Sequence, residues 1–389
     1  MVRHATAIAA LLLTAHAAMA QTRPMVELGD GKGTSYQGRV EQLDKKTVTL
    51  MKRDGSMVQL NRAALKDYKT VAKKFQPFSK GEMVAQLREE LGRGFSVQTT
   101  QHYVVCTPGR SSSNYAAIFE NVLKAFHYQF RRRQFHLKRS EFPLVAIVFP
   151  NFQDFAKYAA KDGVRASRGL LGYYHRLTNR VAVYESKQTA LQTDDEPKTG
   201  MLSTGTTADA NVVLFDTGSG SDLESTITHE GIHQVGFNTG IHPRLGLAPR
   251  WIIEGLAMTF ESPGFLSTSP ARGASRINRS RYSWFQGYSQ QVRPRKSLKA
   301  FIESDRLFST GALHAYSQGW ALTFFFMDQP SRSYKFGRYI RAMNAKDLTT
   351  YSAKDRLKDF EAAFGDVERV ETDFLRFMKQ LDPNAVATR

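Results

Sequence analysis

The chain has 389 residues, with 54 Lys+Arg against 36 Asp+Glu, a formal net charge of +18, and 41% hydrophobic and 11% aromatic residues. That apolar content excludes a disordered chain, and a single cysteine, Cys106, excludes an intramolecular disulfide framework. The length exceeds the ~250–300 residues at which one core usually stops growing, so more than one domain is expected, while the basic excess points to an anionic partner or surface.

Residues 1–20 read as a cleaved signal peptide. Arg3 and His4 open it, residues 5–15 are apolar around Leu11, Leu12 and Leu13, and Ala18-Met19-Ala20 supplies a small-x-small cleavage site. The expected location is periplasmic or extracellular, which sets nucleic acid aside as a partner. No later run approaches the ~20 apolar residues of a spanning helix, so no transmembrane segment is expected.

Residues 36–60 carry a β pattern, within a small β domain expected over 21–75. Val48 and Leu50 alternate with Thr47 and Thr49, and Val58 and Leu60 flank Gln59. Asp54-Gly55 between the two runs is a hairpin signal, and an earlier strand over 38–43 turns at Asp44-Lys45-Lys46. Three short strands in this space suggest a small SH3-like barrel, a spacer or ligand-binding module without visible chemistry. Residues 66–93 are charged and expected to be helical, with 76–94 as a helical linker.

A sheet-containing part is expected over 95–220. Its strands fall at 103–106, 144–149, 171–175, 180–184 and 211–215, with an amphipathic helix over 114–133 and a shorter one over 152–160. The run 144–149 is continuously apolar, as a strand covered on both faces must be. A polar loop, 186–210, precedes the last strand. From 221 to 383 the chain is mostly helical. Ser221 with Glu224 forms a capping box, and helices are expected to Gly236, from Pro249 to Glu261, and over 311–328, 334–344 and 353–380, before a tail at 384–389.

The helix opening at Ser221 contains His229-Glu230-Gly231-Ile232-His233, an H-E-x-x-H motif. Residues four apart share a helix face, so both imidazoles can reach one metal ion, and Glu230 beside them can take a proton from a metal-bound water. Glu254, in Pro249-Arg250-Trp251-Ile252-Ile253-Glu254-Gly255-Leu256-Ala257, can be the third ligand of a Zn2+ site that keeps an open position. Small Gly255 and Ala257 would let its helix approach the histidine helix. Glu261 lies on the same face and can orient a ligand histidine through a hydrogen bond. The motif H-E-x-x-H-x-x-G-x-x-H would place a third histidine at position 239, which is Thr239; His242 comes three residues late, so Glu254 is preferred.

On these residues the sequence resembles the gluzincin zinc metallopeptidases, whose H-E-x-x-H is followed by E-G-x-A. Over 95–380 it resembles more narrowly an uncharacterised family of secreted bacterial proteins, domain of unknown function 1570, with peptidase-like motifs. That resemblance rests on Thr228 to Gln234, on Pro249-x-Trp251-x-x-Glu254-Gly255-Leu256-Ala257, on Tyr316-Ser317-Gln318-Gly319-Trp320-Ala321-Leu322, and on Gly172-Tyr173-Tyr174 before Asn179-Arg180-Val181. It implies an α+β zincin-like fold with one zinc ion on His229, His233 and Glu254, and it supplies no substrate. In gluzincin aminopeptidases a tyrosine in a Y-x-x-G helix stabilises the oxyanion; Tyr316-Ser317-Gln318-Gly319 is similar, which implies that role for Tyr316, whereas His314 points elsewhere on the helix. The zincin resemblance also implies a strand that pairs with extended substrate, at 181–184 or 212–215.

The expected function is thus an exported zinc metallopeptidase acting on protein or peptide. The rivals are a catalytically inactive zincin-fold binding protein of the cell envelope and a zinc amidase acting on a non-peptide envelope polymer. Two basic stretches stand apart, 124–139 and 262–300. The second holds Arg272, Arg276, Arg279, Arg281, Arg293, Arg295, Lys296 and Lys299 without an acid, with Tyr282, Trp284, Phe285 and Tyr288 interleaved. It joins the Glu254 and Tyr316 helices, so it is expected to border the site, as a solvated loop or as a basic wall drawing in acidic substrates or anionic envelope polymers.

Overall fold

The structure, a computed structural model, describes residues 24–109, 111, 113–185, 212–216, 223–269 and 273–384, with the backbone alone for 212–216. The expected signal peptide, the loop 186–210, the Ser221 cap, Arg272 and all but the first residue of the expected tail lie outside the described residues. The chain is a mixed α+β protein with an N-terminal antiparallel sheet and a helical C-terminal part, and its backbone divides into two compact units.

The first unit is built on one five-stranded antiparallel sheet in the order β4-β3-β2-β1-β5. The strands are β1 (Met25–Gly29), β2 (Ser35–Leu43), β3 (Thr47–Met51), β4 (Met57–Asn61) and β5 (Asp67–Ala72). Short polar turns set their register. Asp44 Oδ1 accepts from the backbone N–H groups of Lys46 and Thr47 at 2.8 and 2.7 Å, fixing the β2–β3 turn. Gly55 adopts φ +83° in the β3–β4 turn, where Lys52 N–H reaches Ser56 O at 2.7 Å. Val26, Leu28, Val40, Val48, Leu50, Leu60 and Leu65 form the core. Residues 67–72 are a strand rather than the start of a helix, because the sheet supplies Asp67 to Ala72 with partners along β1. The helix α1 (Lys80–Leu91) starts only where Ser79 and Glu82 close a capping box.

The second unit carries a six-stranded sheet in the order β11-β9-β10-β8-β7-β6. Its strands are β6 (Phe95–Thr99), β7 (Tyr103–Pro108), β8 (Leu144–Phe149), β9 (Leu170–His175), β10 (Arg180–Tyr184) and β11 (Val212–Asp216). β7, β8 and β10 run parallel, and the others join antiparallel. Every residue of β8 is buried, as its continuous apolar run requires. The crossover from β7 to β8 contains α2 (Tyr115–Arg132), and α3 (Phe152–Lys161) follows β8.

The helical part comprises α4 (Leu223–Asn238), α5 (Arg250–Phe260), α6 (Arg279–Gln291), α7 (Leu298–Glu303), α8 (Ala312–Asp328), α9 (Pro330–Asn344), α10 (Ala353–Phe364) and α11 (Val367–Gln380). α4 lies between the sheet and the other helices, and Gln234 Nε2 donates to Val145 O of β8 at 2.9 Å, a buried tie between helix and strand. α5 packs on α8 with unusual closeness: a Cβ on Gly255 would collide with Thr323 Oγ1 and come within 2.5 Å of Gly319 O. The small residue at 255 therefore serves the contact with α8, not the expected approach to the histidine helix. Trp251 of α5 stacks on Tyr339 of α9, with centroids 6.2 Å apart. Residues 353–380 form two helices instead of one, because Gly365 takes φ +94° and ends α10. Among the described residues no helix is long and apolar enough to cross a membrane.

Candidate metal centre

α4 presents His229, Glu230 and His233 in its interior-facing turns, and all three are wholly buried. α5 brings Glu254, 1% exposed, against them. His229 Nε2 lies 3.4 Å and His233 Nε2 3.7 Å from Glu254 Oε2. One ligand atom from each of these three residues falls within 4.8 Å of the others. Two atoms bound to one zinc at about 2.1 Å and the tetrahedral angle sit about 3.4 Å apart, so the spacing fits a common ion.

The hydrogen bonding points the same way. His233 Nε2, Glu254 Oε2 and both oxygens of Glu230 are buried without a hydrogen-bond partner among the described residues. A buried polar atom left so costs about 1–3 kcal/mol, and a bound cation with its water would satisfy all of them together. His229 Nδ1 lies 2.8 Å from Glu261 Oε1. A carboxylate can only accept, so Nδ1 carries a proton, which leaves Nε2, facing Glu254, to hold either a second proton or a metal ion. Glu261 is held in turn by Asn278 Nδ2, which donates to its Oε2 at 2.7 Å and to Met258 O at 3.1 Å.

Electrostatically the group draws positive charge. Burial opposes protonation of His229, but its hydrogen bonds to Glu254 and Glu261 outweigh that and lift its pKa to about 9. Burial, helped by the charge of Glu254 and opposed by that of His229, lifts Glu230 to about 8. His233 is pushed well below the usual histidine range by burial and then by His229 and His242.

Tyr316 of α8, 7% exposed, lies beside this group. Burial, joined by the charge of Glu254, raises its pKa, while Arg250 and Arg281 pull it down. Arg250 hydrogen-bonds to Tyr316, and its Nη2 stands 4.0 Å from Glu254 Oε1. The guanidinium carbon of Arg281 stands 5.9 Å from the centre of the Tyr316 ring. His314 does not join: its ring stacks on Tyr288 at 4.4 Å. His242 is outside the three-residue group and packs on Phe237 at 5.1 Å. Thr239 caps its own helix, Oγ1 donating to Val235 O at 2.8 Å.

The basic stretch 262–300 is less acid-free in space than in sequence. Arg276 pairs with Asp328, Arg293 with Glu371 at 2.5 Å, and Lys296 with Glu368 at 2.9 Å. Arg281 is the member shown against the site. In 124–139, Arg133 is a structural cation: its guanidinium donates to Met327 O, Gln129 O and Gln129 Oε1 at 2.8–3.0 Å. Two residues at the centre escaped the sequence reading, Arg250 and Asn278, while Arg281 was expected there only as one of the cations of 262–300. Only Arg250 had a signal, its spacing of four from Glu254, which puts both on one helix face.

Residues 224–348, from the first turn of α4 to just beyond α9, match a family model described as "Protein of unknown function (DUF1570)". Among solved structures, the chain is similar to that of an aminopeptidase N family protein from Idiomarina loihiensis. The identity is 12% and the TM-score 0.37, over 85% of this chain and 52% of that one. The chain thus spans about half the length of that protein. No curated protein matches it.

Proposed function

We propose that this chain is an exported zinc-dependent metallopeptidase, with a zincin-like α+β domain preceded by a small SH3-like β-barrel that acts as spacer or ligand-binding module. The reading is carried by the buried group of His229, His233 and Glu254 with the Glu230 carboxylate beside it. His229, His233 and Glu254 would hold Zn2+, which would supply a Lewis acid and lower the pKa of a water to ~7. Glu230 takes the proton of the attacking water and passes it to the leaving amine; neither of its oxygens is committed to another side chain. Tyr316 donates its phenolic hydrogen to the oxygen that becomes negative. A guanidinium has donors only, so in the Arg250–Tyr316 bond the phenol oxygen accepts, and its own proton stays available for substrate.

Extended substrate pairs with β11, which ends the sheet beside β9 among the described residues. The alternative strand, β10, lies between β8 and β9 and has no unpaired edge to offer. Export follows cleavage near Ala20, so N-terminal sequencing of the mature protein should begin at Gln21.

Elemental analysis of the purified protein, followed by a peptide-library digest with and without chelator, tests the reading. Stoichiometric zinc and chelator-sensitive cleavage of peptide bonds are expected. Zinc without hydrolysis of any peptide would instead indicate a binding protein, and absence of stoichiometric zinc would overturn the enzyme.

A further inference from the structure

We infer that the protein docks on a membrane surface bearing anionic phospholipids, through the basic face where the end of α2 meets α9, with a lipid headgroup in the pocket between them. The inference goes beyond the peptidase reading and does not depend on it.

The sequence concentrates charge of one sign in two places. Residues 121–140 hold six Lys or Arg and residues 329–346 hold five, with no Asp or Glu in either. The fold brings these stretches together. α2 ends in a Schellman motif: Gln134 takes φ +59°, and the N–H groups of Gln134 and Phe135 reach Arg131 O and Phe130 O, each at 3.0 Å. The chain then runs along α9, where a Cβ on Gly337 would come within 2.9 Å of the Phe135 ring. Asn344, the last residue of α9, donates to Gly240 O at 3.0 Å, and Lys138 packs on Gly240.

Arg131, Arg132, Lys138 and Arg139 of the first stretch are exposed, as are Lys335, Arg338 and Arg341 of the second. None of them makes an ion pair among the described residues. The three on α9 follow one another at spacings of three, where like charges repel, so an anionic surface relieves a cost the helix otherwise carries. Between the stretches lies a pocket of about 430 Å³ whose wall joins Arg132 and Arg133 to Ser331 and Tyr334 in the first turns of α9. Burial, with the charges of Arg132 and Arg276, lowers the Arg133 pKa to about 10. Asp328, the carboxylate in that wall, is paired with Arg276. Met327 and Pro330 add apolar wall, and Tyr334 lines the pocket while remaining 50% exposed. Arg338 and Arg341, four and seven residues beyond Tyr334, continue its face of α9. A cationic, partly apolar pocket continued by a row of exposed cations fits a phosphate carried on glycerol within a surface of like phosphates, with a tyrosine at the level of the headgroups. A soluble anionic polymer has no apolar part to match it.

The test uses the full-length protein and vesicles of two compositions, phosphatidylcholine alone and equal parts of phosphatidylcholine and phosphatidylglycerol. Binding is measured by co-sedimentation at low and high salt. The protein should bind the mixed vesicles and not the neutral ones, and more weakly at high salt, where surface attraction is screened. A cation near an anionic surface changes affinity about fivefold, so Arg132→Gln should lose about that factor and the double variant Arg338→Gln/Arg341→Gln about 25-fold. Tyr334→Ser should weaken vesicle binding with no change of charge. Arg295→Gln, at an exposed cation of the other basic stretch, should leave binding intact. Equal binding to both vesicles, no binding to the mixed ones, or a loss in Arg295→Gln as large as in the face variants would overturn the inference. Inorganic polyphosphate is tried with the same variants. If it binds as tightly as the mixed vesicles, and Tyr334→Ser alters neither, the face serves an anionic polymer and the lipid assignment falls.

Discussion

At the scale of single residues, the centre is a set of buried polar side chains that make sense only together. Glu261 illustrates it: its hydrogen bond to His229 Nδ1 fixes which imidazole nitrogen faces Glu254, and Asn278 fixes Glu261. Partners of this kind typically change metal affinity by about 10–100-fold, so Glu261→Gln should weaken zinc binding by that factor in a competition titration with a chromophoric chelator, with Asn278→Ala showing a smaller loss. His229→Ala or Glu254→Ala should abolish stoichiometric zinc outright. That His229, His233 and Glu254 come together was legible in the sequence, because spacing on one helix and residue type carry it. Arg281 and Asn278 were not, because α6 meets α8 and α5 only through tertiary packing, and nothing in the sequence of residues 262–300 distinguishes an arginine facing the site from Arg276 or Arg293, which find acids elsewhere.

Element packing decides where those residues end up. The α5–α8 contact brings the helices of Glu254 and Tyr316 together, and Gly255 lies within it. A methyl group there meets Thr323 Oγ1 and the Gly319 carbonyl, one of which is backbone and cannot turn aside. Gly255→Ala should therefore destabilise the protein by about 1–3 kcal/mol or more in denaturant unfolding, and it should also weaken zinc binding as α5 shifts. Sequence reasoning recognised that residue 255 had to be small but assigned it the wrong neighbour, since a helix pattern does not reveal which of two helices takes the near face. Strand β5 was missed for a related reason. Asp67 to Ala72 lies at the start of a charged stretch that reads as helical in isolation, and becomes a strand because β1 supplies its hydrogen-bond partners. The split at Gly365 carried a visible signal, a lone glycine inside a helical pattern, that also fits a tolerated helix interior.

On the scale of the whole molecule, several of the cations behind the net charge of +18 have defined places in the structure. Arg133, Arg276, Arg293 and Lys296 are engaged by carbonyls or carboxylates, and Arg250 and Arg281 border the centre. Stability should also depend on pH through a buried group outside the ligand set. Burial, with the charge of Arg176 adding to it, pushes the His242 pKa down to about 3, against about 6.5 in an unfolded chain. Between those values the unfolded state binds the extra proton, so the contribution is complete above about pH 6.5 and is lost as pH falls toward 3, with a slope of up to about 1.4 kcal/mol per unit. Urea unfolding of zinc-loaded protein between pH 7 and pH 4.5 should show this decline, and His242→Gln should flatten it.

The most direct measurement is the initial rate of peptide hydrolysis per bound zinc for the parent protein and for Glu230→Gln. General acid–base catalysis by a positioned side chain contributes about 10²–10⁴-fold. The variant should bind as much zinc as the parent and lose at least about a hundredfold in kcat. A Glu230→Gln protein that cleaves as fast per zinc as the parent would contradict the assignment of Glu230 as the base, and with it the catalytic reading of the centre.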